Sequence, residues 1–276
     1  MRKGAFFFLM FFLVIFSTSV YSQNAPEIIW QKTLGGSDAE AAVAIAVTPD
    51  GGYIVAGGTY SNDGDVSENQ GGEDFWVVKL DKDGNIIWQK TYGGSDYDKA
   101  NDIAVTPDGG YIVAGGTYSN DGDVSENQGG EDLWVVKLDK DGNIIWQKTY
   151  GGSDWESASA MATTPDGGYI VVGWTGSKDG DVSYNHGTND FWVVKLDKDG
   201  NIIWQRTLGG SNLDLAQDVA VTPDGGCIVV GWTRSNDGDV SGNHGMDDVW
   251  VVKLDKDGNV IWKKLMVVVM RITHFL

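Results

Sequence analysis

Residues 86–143 read "IIWQKTYGGSDYDKANDIAVTPDGGYIVAGGTYSNDGDVSENQGGEDLWVVKLDKDGN", and the chain contains this stretch four times with few changes. An interval of 58 residues separates the tryptophans near the start of each copy: Trp30, Trp88, Trp146, Trp204 and Trp262. The same interval separates a second set: Trp76, Trp134, Trp192 and Trp250. Self-similarity at a fixed period is the sequence signature of a repeat architecture. Four full repeats therefore occupy residues 28–85, 86–143, 144–201 and 202–259, and a partial copy occupies 260–264.

Local signals divide each repeat into four short strands. In the second copy, the apolar runs are 102–107, 110–117, 133–139 and 144–150. The turns "PDGG" and "KDGN" join these runs pairwise as hairpins, because Pro presets φ and Gly accepts positive φ. No segment keeps a helical period. Four hairpin-linked strands per repeat predict an all-β fold, a β-propeller of four 58-residue, four-stranded blades.

Composition and charge narrow the classes of partner. The chain has 276 residues, of which 39 are Gly and 12 are Trp, and its formal net charge is -19 with a pI of about 4.3. The negative charge of the chain disfavours binding to nucleic acid or to anionic membrane surfaces. A protein or glycan ligand, or a cation, is the partner class that the charge favours.

The repeated motif is similar to that of a known family. The pattern W-x-x-T-x-GG-S, then TPDGG-x-I-V-x-G-x-T, then W-VVKLD-x-DG-N resembles the SBBP-type β-propeller repeat of secreted bacterial proteins. The resemblance covers residues 28–264. It implies a propeller fold and export from the cell, and it implies no particular activity.

The N-terminus has the order of a secretory signal peptide. Arg2 and Lys3 precede an apolar run over 5–16, and Val20 and Ser22 offer a cleavage pattern before Gln23. The run is short for a transmembrane helix, although a retained anchor is the alternative. We expect residues 1–22 to be removed, leaving residues 23–264 as the repeat domain with no membrane span. The protein is then expected in the extracellular space, at the cell surface or in the periplasm.

Blade order and the single cysteine give further expectations. By analogy with known blades, the 102–107 strand is innermost and the 144–150 strand is outermost. The first outer-strand copy, residues 27–34, precedes any inner strand, so we expect it to pair with the last blade and close the ring. The second tryptophan set is expected to pack between blades. Cys227 stands where the other repeats have Tyr, so we expect a buried apolar strand residue rather than a reactive thiol.

Strand polarity places the "GGSD" and "SNDGDVS" loops on one rim of the propeller. Each "DGD" string in these loops supplies two aspartates, which are Asp63 and Asp65, Asp121 and Asp123, Asp179 and Asp181, and Asp237 and Asp239. Carboxylates in Gly-rich loops can bind Ca²⁺, but the strings lack the complete calcium-loop pattern. Short Asp side chains also stabilise turns by accepting hydrogen bonds from backbone N–H groups. The sequence leaves both interpretations open, a calcium site or turns that need no cofactor.

The residue after "GGSD" or "GGSN" varies between otherwise similar repeats. It is Ala39, Tyr97, Trp155 and Leu213 in the four copies. Exposed Tyr and Trp side chains are common anchors at binding surfaces. Tyr97, Trp155 and Leu213 are therefore candidate ligand-binding residues, and relaxed packing of a loop is the alternative explanation of the variation.

No catalytic constellation emerges from the sequence. Nearly every acid has copies in the other repeats, whereas a glycosidase needs a specific pair of carboxylates with separated pKa values. The chain has no G-x-S-x-G motif, no phosphate loop and no Cys-His pair that could be proposed. The first hypothesis is a secreted, non-enzymatic propeller for protein or glycan binding or for cell-surface structure. The alternative is a polysaccharide hydrolase or lyase with a site in the central channel.

The tail at 265–276 breaks the repeat. It reads "LMVVVMRITHFL". Codons can be chosen for this stretch so that the reading frame displaced by one base spells "KTYGGSDEDYA" from Lys264 onward. That displaced sequence is close to "KTYGGSDYDKA" in the second repeat. We therefore expect a frameshift in the adenine-rich Lys263–Lys264 codons, and a chain that is a fragment of a larger propeller.

Overall fold

The computed structural model describes residues 27–266, which contain sixteen β-strands and no helix. The strands form four antiparallel sheets of four strands, each in chain order. The chain divides into a unit that ends at Gln31 and a unit that begins at Lys32, and every strand belongs to the second unit. Within the described residues, no helix has the length and apolar character needed to cross a membrane. The predicted signal peptide and residues 267–276 of the predicted frameshifted tail lie outside the described residues.

We number the sheets as blades 1 to 4. Blade 1 contains β1 (Glu40–Val47), β2 (Tyr53–Thr59), β3 (Asp74–Leu80) and β4 (Ile86–Tyr92). Blade 2 contains β5 (Asp98–Val105), β6 (Tyr111–Thr117), β7 (Asp132–Leu138) and β8 (Ile144–Tyr150). Blade 3 contains β9 (Glu156–Thr163), β10 (Tyr169–Thr175), β11 (Asp190–Leu196) and β12 (Ile202–Leu208). Blade 4 contains β13 (Asp214–Val221), β14 (Cys227–Thr233), β15 (Asp248–Leu254) and β16 (Val260–Met266).

The prediction of four strands per repeat is confirmed, with one difference in the first strand. In blade 2 this strand begins at Asp98 rather than at 102, because its first residues pair with the end of β6 across a β-bulge. The "PDGG" turn has the expected geometry. The Gly109 N–H donates to the Thr106 carbonyl at 2.9 Å, and Gly109 has a φ of 82°, which favours glycine.

Successive blades pack face to face around aromatic side chains. Trp134 of blade 2 lies against Phe75 of blade 1 with ring centroids 4.5 Å apart, and Trp250 of blade 4 lies against Phe191 of blade 3 at 4.8 Å. Trp192 is buried in the cluster between blades 2 and 3. For these three residues the predicted packing between blades is confirmed. Four-stranded antiparallel sheets stacked in chain order are propeller blades, so the predicted fold class is confirmed.

The predicted closure of the ring by residues 27–34 is wrong. The outer partner of β15 is β16, in which Leu265 and Met266 pair with Trp250 and Val249, and residues 27–34 form no strand. A hairpin closed by the short "KDGN" turn needs little loop-closure entropy, whereas pairing residues 27–34 with β15 joins distant ends of the chain. The pairing of Leu265 and Met266 also places the first two residues of the predicted tail within blade 4.

Candidate functional site

The two loop types predicted to share a rim lie together in every blade. We call this surface the GGSD rim, and in blade 2 it is formed by residues 93–97 and 118–125. The Asp123 N–H donates to the Gly93 carbonyl at 2.8 Å, and the Ser95 N–H donates to Asp121 Oδ1 at 2.7 Å. These bonds join the loop before β5 to the loop after β6, so the rim is one hydrogen-bonded surface.

The "DGD" aspartates act as acceptors for backbone N–H groups of the neighbouring loop. The first aspartate of each string accepts a bond of 2.7 Å in all four repeats, from Ser37 to Asp63, Ser95 to Asp121, Ser153 to Asp179 and Ser211 to Asp237. The second aspartate accepts from a glycine N–H in three repeats, from Gly35 to Asp65 at 3.1 Å, Gly93 to Asp123 at 3.4 Å and Gly151 to Asp181 at 3.3 Å. In the fourth repeat, Asp239 accepts from Lys263 Nζ at 2.8 Å. These hydrogen bonds are the ones expected if the aspartates stabilise turns, which is one of the two interpretations that the sequence left open.

The same hydrogen bonds bear on the calcium hypothesis. The serine N–H groups lower the pKa of Asp121, Asp179 and Asp237. Between residues 27 and 266, no group of three or more His, Cys, Asp or Glu side chains is placed to hold a metal ion. A Ca²⁺ ion needs six to eight oxygen ligands, and these aspartates each direct an oxygen at an N–H donor.

Thermal unfolding tests whether the loops need calcium. We expect the midpoint to be the same in EDTA and in millimolar Ca²⁺, because N–H donors already satisfy the aspartates. A ligand that binds only the folded state would raise the midpoint. A higher midpoint in Ca²⁺ that is lost in an Asp121→Asn variant would therefore contradict turn stabilisation as the role of these residues and support a metal site.

A second group of acids lies buried beneath the rim. Asp98 accepts from the Gly94 N–H at 2.7 Å and the Ser119 hydroxyl at 2.8 Å, and it also accepts from the Thr117 hydroxyl. Glu156 and Asp214 hold the same position in the next two repeats and make equivalent bonds. All three are fully buried. They fix the "GGSD" loop to β6 and its equivalents, and they are not accessible to a ligand.

A third group of acids was not predicted from the sequence. Asp74, Asp132 and Asp190 begin the third strand of their blades and are fully buried, and one carboxyl oxygen of each, Oδ1, has no hydrogen-bond partner. Burial raises the pKa of Asp74 and of Asp132 to about 7, and neighbouring carboxylates contribute to the rise. The signal in the sequence is an aspartate at the first position of each buried third strand, where a charge is costly.

The candidate ligand residues are largely where the sequence placed them. Tyr97 is 53% exposed, Trp155 is 55% exposed and Leu213 is half-buried, all on the GGSD rim. Tyr60 of blade 1 contacts Tyr97 edge to face with ring centroids 6.3 Å apart. Further exposed aromatic residues of this rim, not predicted from the sequence, are Tyr60, Tyr118 and Tyr184.

A cleft opens on the GGSD rim of blade 3 beside the backbone of Trp155, whose indole ring lies against Gly130 of blade 2. It is lined by Ser153, Asp154, Gly176, Ser177, Lys178, Asp179, Gly187 and Thr188. The Gly176 N–H donates to the Trp155 carbonyl at 2.8 Å, and the residues at the Gly176 position in blades 1 and 2 are Tyr60 and Tyr118. The glycine therefore leaves open a space that tyrosine side chains occupy in the first two repeats.

The remaining chemically distinctive side chains have structural partners. His186 Nδ1 lies 2.7 Å from Asp190 Oδ2, and His244 Nδ1 lies 3.0 Å from Asp248 Oδ2. Cys227 is fully buried, and burial raises the pKa of its thiol to about 11, which keeps it protonated and unreactive. The prediction of an apolar strand residue at Cys227 is therefore confirmed.

Comparison with known proteins supports the fold. No protein-family model matches the chain. Regulatory protein FlaEY of Caulobacter vibrioides is 23% identical over 223 residues, which are 74% of this chain and 23% of that protein. This chain therefore spans less than a quarter of that relative's length. An α-L-arabinanase of Penicillium chrysogenum, solved with arabinobiose, has a TM-score of 0.52 at 11% identity and is matched over 83% of this chain and 67% of its own. A protein of unknown function from Bacteroides caccae has a TM-score of 0.47 at 14% identity, over 82% of this chain and 68% of its own. The likeness to the arabinanase concerns the fold alone.

Proposed function

We propose that the chain is a secreted, non-enzymatic propeller module that binds glycan through the GGSD rim of blade 3. The observation that carries this proposal is that one rim presents both the exposed indole of Trp155, over Gly130 of blade 2, and the cleft at Gly176 of blade 3. Glycan is one of the three partner classes that the charge of the chain favours, beside a protein surface and a cation. Export rests on the signal-peptide pattern, and similarity to the SBBP-type repeat stays a prediction.

The chemistry of the cleft suits a carbohydrate. An exposed indole ring offers a flat apolar face for the C–H side of a sugar ring, and it keeps a polar N–H at its edge. Asp154, Lys178 and Thr188 place acceptors and donors in the cleft, where sugar hydroxyls can exchange hydrogen bonds with them. The cleft supplies polar contacts and the Trp155 indole, over Gly130, supplies an apolar one, so a ligand that uses both is an oligosaccharide that spans the two.

The alternative, a polysaccharide hydrolase or lyase with a site in the central channel, needs two carboxyl groups that face the same sugar. The acids beneath the rim, such as Asp98 and Glu156, are instead buried and bonded to loop donors. A reducing-sugar release assay on the polysaccharide that binds best separates the two hypotheses, and we expect no release. Release that is lost when an aspartate is replaced by asparagine, in the channel or on the rim, would favour the enzyme.

A glycan-binding screen followed by alanine variants tests the proposal. We expect Trp155→Ala to weaken binding at least tenfold, because an aromatic anchor at a binding site contributes about 1.4 kcal/mol or more. Tyr97→Ala and Leu213→Ala report whether the neighbouring blades take part, and Ile203→Ala is the control, because Ile203 is as exposed as Trp155 but lies on the outer strand β12. Equal affinity of the native chain and the Trp155→Ala variant would contradict binding at this cleft.

A further inference from the structure

The first and last blades each leave part of one apolar face exposed. We call the face that packs on the preceding blade the leading face, and the face that packs on the next blade the trailing face. On the leading face of blade 1, Ile45 is 65% exposed, whereas Ile103 at the same position of blade 2 is 4% exposed. On the trailing face of blade 4, Val249 is 38% exposed, whereas Phe75 and Phe191 are fully buried. Among the described residues, blades 1 to 3 each pack on the next blade, and no strand of blade 4 packs comparably on blade 1.

The leading face of blade 1 is built to receive a blade. Every side chain of blade 2 in the cluster shared with blade 1 has an identical side chain at the same position of blade 1. Examples are Ile45 for Ile103, Val55 for Val113, Trp76 for Trp134 and Val78 for Val136. Trp76 and Val78 are 7% and 2% exposed in the single chain, where Leu34 packs against their cluster. Because blade 2 uses the same residues to pack on a trailing face, blade 1 offers this surface to another trailing face once the segment that contains Leu34 is displaced.

The trailing face of blade 4 has the matching composition. Ile228, Val230 and Val251 repeat the residues Ile170, Val172 and Val193 with which blade 3 packs on blade 4. Val249 replaces the phenylalanine of blades 1 and 3, so the face keeps its apolar character with less volume. The faces at the two ends are therefore the two halves of an interface that this chain forms three times internally.

We propose that the trailing face of blade 4 packs on the leading face of blade 1 in a second copy of this chain, and that two copies close a ring of eight blades. The contact is head-to-tail, and such contacts give a closed ring when the rotation closes. Eight blades are within the range in which propellers close, about four to eight. Closure covers both apolar faces in each copy.

Residues 32–34 occupy part of this interface in the single chain. Lys32 Nζ bonds Asn85 Oδ1 at 2.9 Å, in the same way that Lys90 of blade 1 bonds Asn143 of blade 2 at 2.8 Å. Lys264 of β16 holds the repeat position of Lys90. In the assembled pair, Lys264 of one copy takes over the bond to Asn85 of the other, and Lys32 is displaced.

Sedimentation velocity on the full chain tests the proposal. We expect a discrete species of two chains that dissociates on dilution and is strengthened by salt, because salt screens the repulsion between two chains of charge -19. Ile45→Asp should weaken association at least tenfold, and Val249→Phe should strengthen it by restoring the ring found in blades 1 and 3. Ile203→Asp is the control, since Ile203 is similarly exposed but lies on the outer strand β12.

A mixing experiment tests the head-to-tail geometry. Ile45→Asp and Val249→Asp chains are each expected to be monomeric alone, and their mixture should form a pair through its one intact interface. A monomer at all concentrations, also with Val249→Phe, would overturn the proposal. So would a dimer that Ile45→Asp leaves unchanged, a mixture that stays monomeric, or a ladder of species longer than two chains.

Discussion

The Trp134→Ala variant should be less stable than the native chain by about 3–5 kcal/mol, the range found when a large aromatic side chain is removed from a core. Trp134 is fully buried between blades 1 and 2 and lies against Phe75. Its indole Nε1–H donates to Gln147 Oε1 at 2.8 Å. Truncation leaves a cavity at the blade junction and removes the donor to Gln147, so packing between blades and within blade 2 both weaken.

Denaturant unfolding followed by circular dichroism measures this loss. Trp155→Ala is the matched control, because it removes the same side chain from an exposed site and should change stability by no more than about 0.5 kcal/mol. If both variants unfolded at the same denaturant concentration as the native chain, the tryptophans of the second set would not be the packing residues between blades.

The Asp132→Asn variant should be more stable than the native chain at pH 8 and equal to it near pH 4. Burial first, and then the charges of Glu156 and Asp181, raise the pKa of Asp132 from 3.8 to about 7 in the folded chain. A carboxyl with a raised pKa binds its proton more tightly when folded, so it lowers stability as pH rises from about 4 to 7. At about 1.4 kcal/mol per pKa unit, removing the charge should restore about 2–4 kcal/mol at pH 8.

Unfolding midpoints across pH 4 to 8 provide the measurement. The asparagine carbonyl can still accept from the Gln128 N–H, which now donates to Asp132 Oδ2 at 2.8 Å. Asp121→Asn is the control, because a hydrogen bond from Ser95 lowers the pKa of that exposed carboxyl. Replacing Asp121 should therefore leave the loss of stability between pH 4 and 7 as it is in the native chain. Two results would contradict the destabilising effect of the buried Asp132 charge. One is a native chain whose stability does not fall between pH 4 and 7, and the other is an Asp132→Asn variant whose stability falls in parallel with that of the native chain.

Much of the fold could be predicted because its signals are local and repeated. The "PDGG" and "KDGN" turns and the apolar runs between them determine the four strands of each blade without reference to distant residues. Closure could not be predicted in this way. Residues 27–34 and β16 carry similar outer-strand sequences, and only the structure shows that β16 pairs with β15. Both segments fit the same edge, so the choice between them depends on chain connectivity.

Part of the candidate site was also predictable, because the repeats can be compared position by position in the sequence. Tyr97 and Trp155 stand out because they vary at a repeated position, and variation is visible in the sequence. The cleft beside Trp155 depends on a missing side chain at Gly176, whose importance appears only when it is placed next to the Trp155 carbonyl. The unusual environment of Asp132 could not be predicted from the sequence, because the lack of a partner for its Oδ1 atom arises only when the blades pack.

Filling the cleft tests the proposed function most directly. Gly176→Tyr introduces the residue that stands at this position in blades 1 and 2, so the backbone can accept it. Titration of the native chain and this variant with the oligosaccharide selected by the screen, followed by tryptophan fluorescence, gives the two affinities. Glycan binding at blade 3 predicts saturable binding to the native chain and at least a tenfold loss in the filled variant. Undiminished affinity after Gly176→Tyr would contradict it.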